Sequence, residues 1–187
     1  MAERDDLKTF QEEADTIIVS QMLSMVNEGF NSIQVICADT DVFVLLLHYF
    51  GKNNLRHRLP PVDILMQNPA TTTKAISILN TFDSLQPHVV SSLLAAHALS
   101  GCDTVPQMFG IAKKKVINLL KSNRGREISL VLNYLGNTDP QLPWGSIEED
   151  SIKFIQSLYG QKCNKPLSEM HYEKWMEKVK NKTMDSP

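Results

Sequence analysis

The sequence predicts a mixed α/β fold that becomes helical in its carboxyl-terminal part. Apolar residues recur at helical spacing between about Thr9 and Gly29, and a short β-branched segment, Ser32–Cys37, follows directly. Acidic residues come next, at the predicted carboxyl end of that strand. Beyond Ser100 the apolar spacing is helical again, with turns at glycine and proline residues. A helix that leads into a buried strand followed by acids is typical of an α/β sheet.

The individual elements follow from the same patterns. The inner face of the first helix is predicted to carry Ala14, Ile17, Ile18, Met22, Met25 and Val26. A basic loop at 51–61 precedes a possible second strand, Val62–Met66, and residues 67–87 are polar and show no clear pattern. A helix is predicted at Pro87–Leu99, with Val90, Leu93, Leu94 and Leu99 on its inner face. Further helical segments are predicted at 111–121, 126–135, 146–159 and 168–181.

Length and composition indicate one globular domain. The chain has 187 residues, of which 42% are hydrophobic, which is enough for an ordinary core. We expect a single domain over 1–187, with an α/β part at about 10–104 and a helical part at about 105–187. The formal net charge of −2 counts against a protein that coats DNA, because such proteins carry a basic excess.

The cysteines and the hydropathy pattern predict an intracellular location, in the nucleus or the cytoplasm. Cys37, Cys102 and Cys163 are widely spaced and form no CxxC pair, so we expect no disulfide and no zinc ribbon. The chain has no amino-terminal hydrophobic signal. The longest apolar run, Val42–Leu47, is too short to cross a membrane.

Three acidic clusters stand out along the chain: Glu12-Glu13-Ala14-Asp15, Asp39-Thr40-Asp41 and Gly101-Cys102-Asp103. If the chain stays extended after the strand, Asp39 and Asp41 point to the same side. Carboxylate oxygens are ligands that hard divalent cations such as Mg²⁺ prefer. Each cluster also has an ordinary interpretation, as acids in a first helical turn, a turn after a strand, or a helix stop. The combination favours a cation site.

The Asp39-Thr40-Asp41 motif fits other families as well. It resembles the first motif of haloacid-dehalogenase-type phosphatases, in which the first Asp is the nucleophile, and the Asp-x-Asp motif of sugar-nucleotide transferases. Against the first, a long helix precedes the motif here, and no Asp-Asp pair follows Gly136. Against the second, no nucleotide-binding half precedes it.

The segment that follows Asp103 is the most informative in the sequence, and it fits either a phosphate-binding corner or an ordinary helical one. We expect Pro106 to start a short helical turn and Gly110 to permit a tight bend. Lys113, Lys114 and Lys115 then open a new helix. A glycine bend that leads into a lysine-bearing helix start presents N–H groups and cations to phosphate. The alternative is an ordinary helical corner with solvated lysines.

Together these motifs resemble the flap-endonuclease-like branch of the PIN-type nuclease superfamily. In that family an acidic helix motif, a strand ending in Asp-x-Asp, and a Gly-Ser-Asp-like turn precede a Gly-Ile-Gly-Lys helix–hairpin–helix. Glu13-Ala14-Asp15, Asp39-Thr40-Asp41, Gly101-Cys102-Asp103 and Gly110-Ile111-Ala112-Lys113 match them in order. The resemblance covers about residues 10–122 and implies a partial PIN-like three-layer sheet, followed by a helical region with a helix–hairpin–helix at 105–122.

The resemblance also implies a chemistry. Two Mg²⁺ or Mn²⁺ ions would be held by Glu13, Asp15, Asp39, Asp41 and Asp103, with Asp39, Asp41 and Asp103 as the catalytic set. Gly110, Ile111 and Lys113–Lys115 would bind the backbone of DNA or RNA, and the loop residues Lys52, Arg56, His57 and Arg58 would steer it. Because phosphates are contacted, little sequence specificity is expected.

The sequence departs from the family pattern in three places. The amino-terminal strand with its essential Asp is not recognisable before Thr9, Asp15 replaces a Glu, and Ala112 replaces the second hairpin glycine. Two hypotheses therefore stand: a metal-dependent, structure-directed nuclease, and a catalytically degenerate PIN-like module that binds nucleic acid or serves as a scaffold. A phosphatase that uses Asp39 as nucleophile is a third. Near the carboxyl end, Trp144, Tyr159, Tyr172 and Trp175 are expected to be core residues rather than base-stacking ones.

Overall fold

The computed structural model describes residues 14–70, 74–102, 105–135, 139–160 and 165–184. For residues 181–184 it describes the backbone only. Within these residues the chain forms two compact units, which divide between Leu94 and Ala95. None of the helices in this part of the chain is long and apolar enough to cross a membrane.

The first unit combines four helices with a small sheet. Its elements are α1 (Ala14–Asn27), β1 (Ser32–Ile36), α2 (Thr40–Lys52), a 3₁₀ helix (Leu55–His57), β2 (Asp63–Gln67), β3 (Ile76–Ser77), α3 (Ile78–Ser84) and the first half of α4 (Pro87–Ser100). Strands β1 and β2 are parallel, with Ser32 opposite Asp63. Strand β3 pairs antiparallel to β2, with Leu65 opposite Ser77. The predicted mixed α/β fold is confirmed at this level.

Alternation along the strands explains how the sheet is buried. β1 buries Ile33 and Val35, and β2 buries Ile64 and Met66, while the residues between them are more exposed. The helices cover the sheet with residues at helical spacing, which in α2 include Val42, Leu46 and Leu47.

The inner face of α1 differs from the predicted one. Val19, Met22 and Val26 form its buried stripe, at steps of three and four residues. Ala14 was predicted to face inward but is exposed, because the stripe that reaches the core passes through Val19 instead. Ile17, Ile18 and Met25 are half-buried.

Both predicted strands of the first unit are confirmed, Val62–Met66 with a shift of one residue to Asp63–Gln67. The region 67–87, which showed no clear pattern, contains β3 and α3. Ser77 is the last residue of β3 and the N-cap of α3. Its hydroxyl accepts from the backbone N–H of Asn80 (3.1 Å) and donates to Oδ1 of Asp63 (2.7 Å).

The second unit is helical, as predicted. It contains the end of α4, followed by α5 (Lys113–Lys121), α6 (Asn123–Ile128), a 3₁₀ helix (Ser129–Asn133), α7 (Trp144–Leu158) and α8 (Leu167–Met184). Its core includes Val116, Leu120, Leu132, Phe154, Leu158 and Met170. Ser122 sets the start of α6 three residues earlier than expected, because its hydroxyl accepts from the N–H of Gly125 (2.9 Å).

Candidate functional site

The acidic pair Asp39 and Asp41 lies at the junction between strand β1 and helix α2. Asp39 is still extended, with φ −78° and ψ 131°, but the helix begins at Thr40. The expectation that the chain stays extended through Asp41 is therefore wrong. Oδ1 of Asp39 accepts from the N–H of Asp41 (2.8 Å), so the first acid caps the helix and the second lies in its first turn. Both positions stabilise a helix start electrostatically, so local stability alone would account for this motif.

Asp39 also opens onto a cavity of about 280 Å³ at the carboxyl end of β1. Cys37, Asp39, Asn68 and Lys74 bring a thiol, a carboxylate, an amide and an ammonium group to its wall, and Phe43 and Ile76 are among its apolar lining. Among the described residues, the Asp39 side chain has no hydrogen-bond partner besides the capped N–H, which leaves Oδ2 for a ligand. The cavity is thus a small polar site at a sheet edge, the position where α/β proteins commonly bind ligands.

Two residues of this cavity were not predicted. Asn68 follows β2 directly, and its Oδ1 accepts from the N–H of Ala70 (2.8 Å). The rule that ligand groups follow the carboxyl ends of parallel strands would have indicated it, once Asp63–Gln67 was taken as a strand parallel to β1. Lys74 gives no such signal, because it lies in the polar region whose fold the sequence did not reveal.

The other predicted metal ligands are only partly described. Asp15 is half-buried in the first turn of α1. A connection of residues 28–31 joins α1 to β1, and the two elements contact each other. Asp15 is not part of the Asp39 cavity wall. Glu13 and Asp103 lie outside the described residues, and within those residues no three His, Cys, Asp or Glu side chains form a group that could hold a metal ion.

The glycine bend before α5 forms as predicted. The N–H of Ile111 donates to the carbonyl of Met108 (3.1 Å), and Gly110, at the third position of this turn, has φ +74°. The expected helical turn at Pro106 is wrong, because no helix occurs in 105–112. Val105 instead exchanges two backbone hydrogen bonds with Cys102 (2.9 and 3.1 Å), and the two residues form an isolated antiparallel β-bridge.

Gly101 ends α4 in a conformation that only glycine adopts readily. Its φ is +111°, and a Cβ atom there would lie 2.5 Å from Cα of Gln107. Gln107 in turn donates from Nε2 to the carbonyl of Ile111 (2.7 Å). Gly101 therefore allows close packing of the end of α4 against Gln107, whose side chain is bonded to Ile111.

Helix α5 begins without the features that usually stabilise a helix start. Its N-cap residue is Ala112, which makes no side-chain cap. Lys113, Lys114 and Lys115 are exposed and fill the first turn, where the helix dipole is positive. The dipole at this end of a helix disfavours cations.

Three of the four predicted steering residues, Lys52, Arg56 and Arg58, have partners inside the first unit. Arg58 donates to the carbonyl of Val26 (2.9 Å) and to Oδ1 of Asn27 (3.2 Å), and so closes the carboxyl end of α1. Nε of Arg56 lies 2.9 Å from Oδ1 of Asp83. Nζ of Lys52 lies 5.5 Å from the ring centre of Tyr49.

The aromatic residues of the last two helices divide into two kinds. Tyr159 is buried, donates from its hydroxyl to the carbonyl of Phe109 (3.2 Å), and has its pKa raised by burial. Tyr172 and Trp175 are 60% and 50% exposed, and Trp144 is exposed as well. The expectation that all four are core residues is correct for Tyr159 alone, because the buried side of α8 is marked by Met170 and not by its aromatic residues.

Comparison with family models, with curated proteins and with solved structures finds no match to this chain. Any functional conclusion therefore rests on the residues and geometry described above.

Proposed function

We propose that this chain is a metal-dependent, structure-directed nuclease-like domain that hydrolyses phosphodiester bonds of DNA or RNA. One observation carries the proposal: Asp39 opens, at the carboxyl end of β1, onto a cavity that also contains Asn68 and Lys74. A carboxylate, an amide oxygen and a cation at a sheet edge are the groups that a phosphodiester and its counterion require.

The donor chemistry suits Mg²⁺ or Mn²⁺. Oδ2 of Asp39 and the amide of Asn68 offer hard oxygen atoms, which these ions prefer over sulfur and nitrogen. Asp41 is not among the residues that line this cavity. The resemblance assigns Asp41, Glu13, Asp15 and Asp103 to the same ligand set. Bound there, a pair of ions would supply an activated water and stabilise the leaving oxygen.

The cations of the chain bind the substrate. The Lys74 ammonium group in the Asp39 cavity pairs with a non-bridging phosphate oxygen and offsets its charge. The start of α5 binds further phosphates through Lys113–Lys115. Both contacts are with the sugar–phosphate backbone, so cleavage should depend on substrate structure rather than on base sequence.

The second candidate is a catalytically degenerate PIN-like module that binds nucleic acid without cutting it. The observation that favours it is the contrast between the two sets of charges. Capping accounts for Asp39 through the 2.8 Å hydrogen bond that it accepts from the N–H of Asp41, whereas the three lysines at the start of α5 lie where the helix dipole disfavours cations. Binding without hydrolysis needs only the lysines.

A cleavage assay tests both candidates. End-labelled flap, single-stranded and duplex oligonucleotides of DNA and RNA are incubated with the wild-type chain and Mg²⁺ or Mn²⁺. The matched control is the Asp39→Asn, Asp41→Asn double variant, which keeps the size of both side chains and removes their charges. The nuclease proposal expects cation-dependent cleavage by the wild type and none by the double variant.

The other outcomes decide between the remaining hypotheses. Equal cleavage by both proteins would reject a metal role for these acids. An absence of cleavage, combined with salt-sensitive binding that is lost when Lys113–Lys115 are replaced, would support the binding module. Hydrolysis of 4-nitrophenyl phosphate, lost in Asp39→Asn and with no cleavage of oligonucleotides, would support the phosphatase.

A further inference from the structure

A second cavity of the first unit lies away from Asp39, at the other end of α2. It has a volume of about 560 Å³, twice that of the Asp39 cavity, and lies between the end of α2, α3 and the start of α4. Small-molecule sites in proteins usually enclose roughly 300–1,000 Å³. Its size is therefore that of a ligand site rather than of a packing defect.

The floor of this cavity is apolar. Phe82, Leu85, Pro87 and Val90 line it. Gly51 lets the ring of Phe82 lie directly against α2, because a Cβ atom there would be 2.9 Å from Cε2 of that ring. The ring of Phe82 also packs against the buried ring of Phe50, at 5.1 Å between ring centres. The apolar surface thus depends on the packing of the Phe82 ring against α2.

The polar groups at the cavity wall carry one surplus positive charge. Lys52, Arg56 and Asp83 line it together, and two cations with one anion leave a charge of +1. Asp83 forms an ion pair with Arg56, with its Oδ1 2.9 Å from Nε of the arginine. Among the described residues Lys52 has no carboxylate partner, only the face of Tyr49 at 5.5 Å. An anionic head group would complete the charge balance at Lys52.

His48 does not alter this balance at neutral pH. Its side chain is half-buried, and burial first and the charge of Lys52 second lower its pKa below the usual value. It therefore lines the cavity as a neutral ring, which offers an additional hydrogen-bonding nitrogen but no charge.

We propose that the cavity between α2, α3 and α4 binds a small amphipathic carboxylate, with its apolar body against Phe82, Leu85 and Val90 and its carboxylate at Lys52. The pairing follows from the two properties of the wall, an apolar floor and a single unbalanced cation. An uncharged apolar molecule would leave the cation without a partner, and a cationic one would be repelled by it. This site is separate from the Asp39 cavity and does not depend on the nuclease proposal.

Calorimetric titration with octanoate tests the proposal, with 1-octanol and octylamine as probes of the same chain length. We expect one octanoate per chain, bound more tightly than the alcohol and the amine. Amide chemical shifts of Gly51, Phe82 and Val90 should change on addition of octanoate. Three variants accompany the wild type: Lys52→Met removes the charge, Ser91→Trp fills the cavity from an exposed position on α4, and Lys121→Met removes an exposed lysine elsewhere.

The variants should separate charge from volume. Lys52→Met should weaken octanoate binding about tenfold, as expected for loss of one charge-assisted contact, and leave octanol binding unchanged. Ser91→Trp should abolish binding of both, and Lys121→Met should change neither. Absence of octanoate binding to the wild type, equal binding of all three probes, or unchanged binding in Lys52→Met would overturn the proposal. Lys52 is exposed, so this variant remains informative even if Ser91→Trp does not fold.

Discussion

Helices α2 and α5 begin with opposite chemistry. α2 begins with the N-cap Asp39 and with Asp41 in its first turn, both of which suit the positive end of the helix dipole. α5 begins after Ala112, which makes no side-chain cap, and its first turn is Lys113–Lys115, which the dipole disfavours. The acidic motif thus serves stability whatever else it does. The basic motif places three cations where the helix dipole disfavours them, an arrangement expected of a binding site for anions.

The largest expected effect follows from separating the charge of Asp39 from its capping role. Asn caps a helix about as well as Asp, so Asp39→Asn should change the free energy of unfolding by less than about 0.5 kcal/mol. Loss of the anionic ligand should nevertheless reduce metal-dependent cleavage at least about a hundredfold. Initial rates on a labelled flap substrate, together with thermal unfolding, measure both quantities.

Asp39→Ala is the matched variant, because it removes the charge and the cap together. It should lose activity equally and also about 1 kcal/mol of stability. If Asp39→Asn retains full activity, Asp39 is a helix cap and nothing more.

The next effect concerns the segment that leads to α5. Gly101→Ala places a Cβ atom 2.5 Å from the backbone of Gln107 and forces alanine to adopt φ +111°. We therefore expect the variant to be destabilised by at least about 2 kcal/mol. Urea unfolding monitored by circular dichroism measures it. Gly145→Ala on α7 is the control, because a Cβ atom there meets nothing within 4 Å. Equal stability of the two variants would show that the 101–111 segment does not hold this conformation.

Replacing Lys113, Lys114 and Lys115 with Gln tests the cost of the basic helix start. Removing each unfavourable charge should raise stability by roughly 0.3–1 kcal/mol at low ionic strength. The same change should weaken nucleic-acid binding and reduce its logarithmic salt dependence by about 2–3. Fluorescence anisotropy between 50 and 200 mM salt (about the range over which this term is large) gives the slope. A stability that falls, or a slope that does not change, would contradict a phosphate-binding role.

The smallest effect is a pH dependence at the far end of α2. The pKa of His48 is lowered in the folded chain, by burial first and by Lys52 second, so below its unfolded value of 6.5 the unfolded chain takes up the proton more readily. This contribution to stability is fully present above pH 6.5 and is lost as the pH falls toward the lowered pKa. Between pH 7.5 and 5.5, wild type should therefore lose more stability than His48→Gln. Parallel curves for the two proteins would contradict the shift.

The fold was predictable where one pattern dominated. The β-branched Ser32–Ile36 and the helical spacing of α1, α4, α5, α7 and α8 each indicated one element, because burial on one face fixes the period of apolar residues. Region 67–87 was not predictable: β3 has two residues, and α3 depends on the cap that Ser77 makes with Asn80.

The candidate site was predictable only in part. Asp39 follows a recognisable strand, so its place at the sheet edge could be inferred. The start of α2 directly after Asp39 could not be inferred, because Val42–Leu47 is a short apolar run that fits a strand as well as a helix. Lys74 reaches the same cavity through pairing of β2 with β3, a contact between segments that no local pattern encodes.

The most direct test of the Asp39 site is Mn²⁺ binding, measured by calorimetry or by the electron paramagnetic resonance of free Mn²⁺. Wild type and Asp39→Asn have the same helix cap, so any difference reports on the carboxylate as a ligand. The nuclease account predicts that wild type binds Mn²⁺ and that Asp39→Asn binds it at least about tenfold more weakly. Identical binding curves for the two proteins would contradict it.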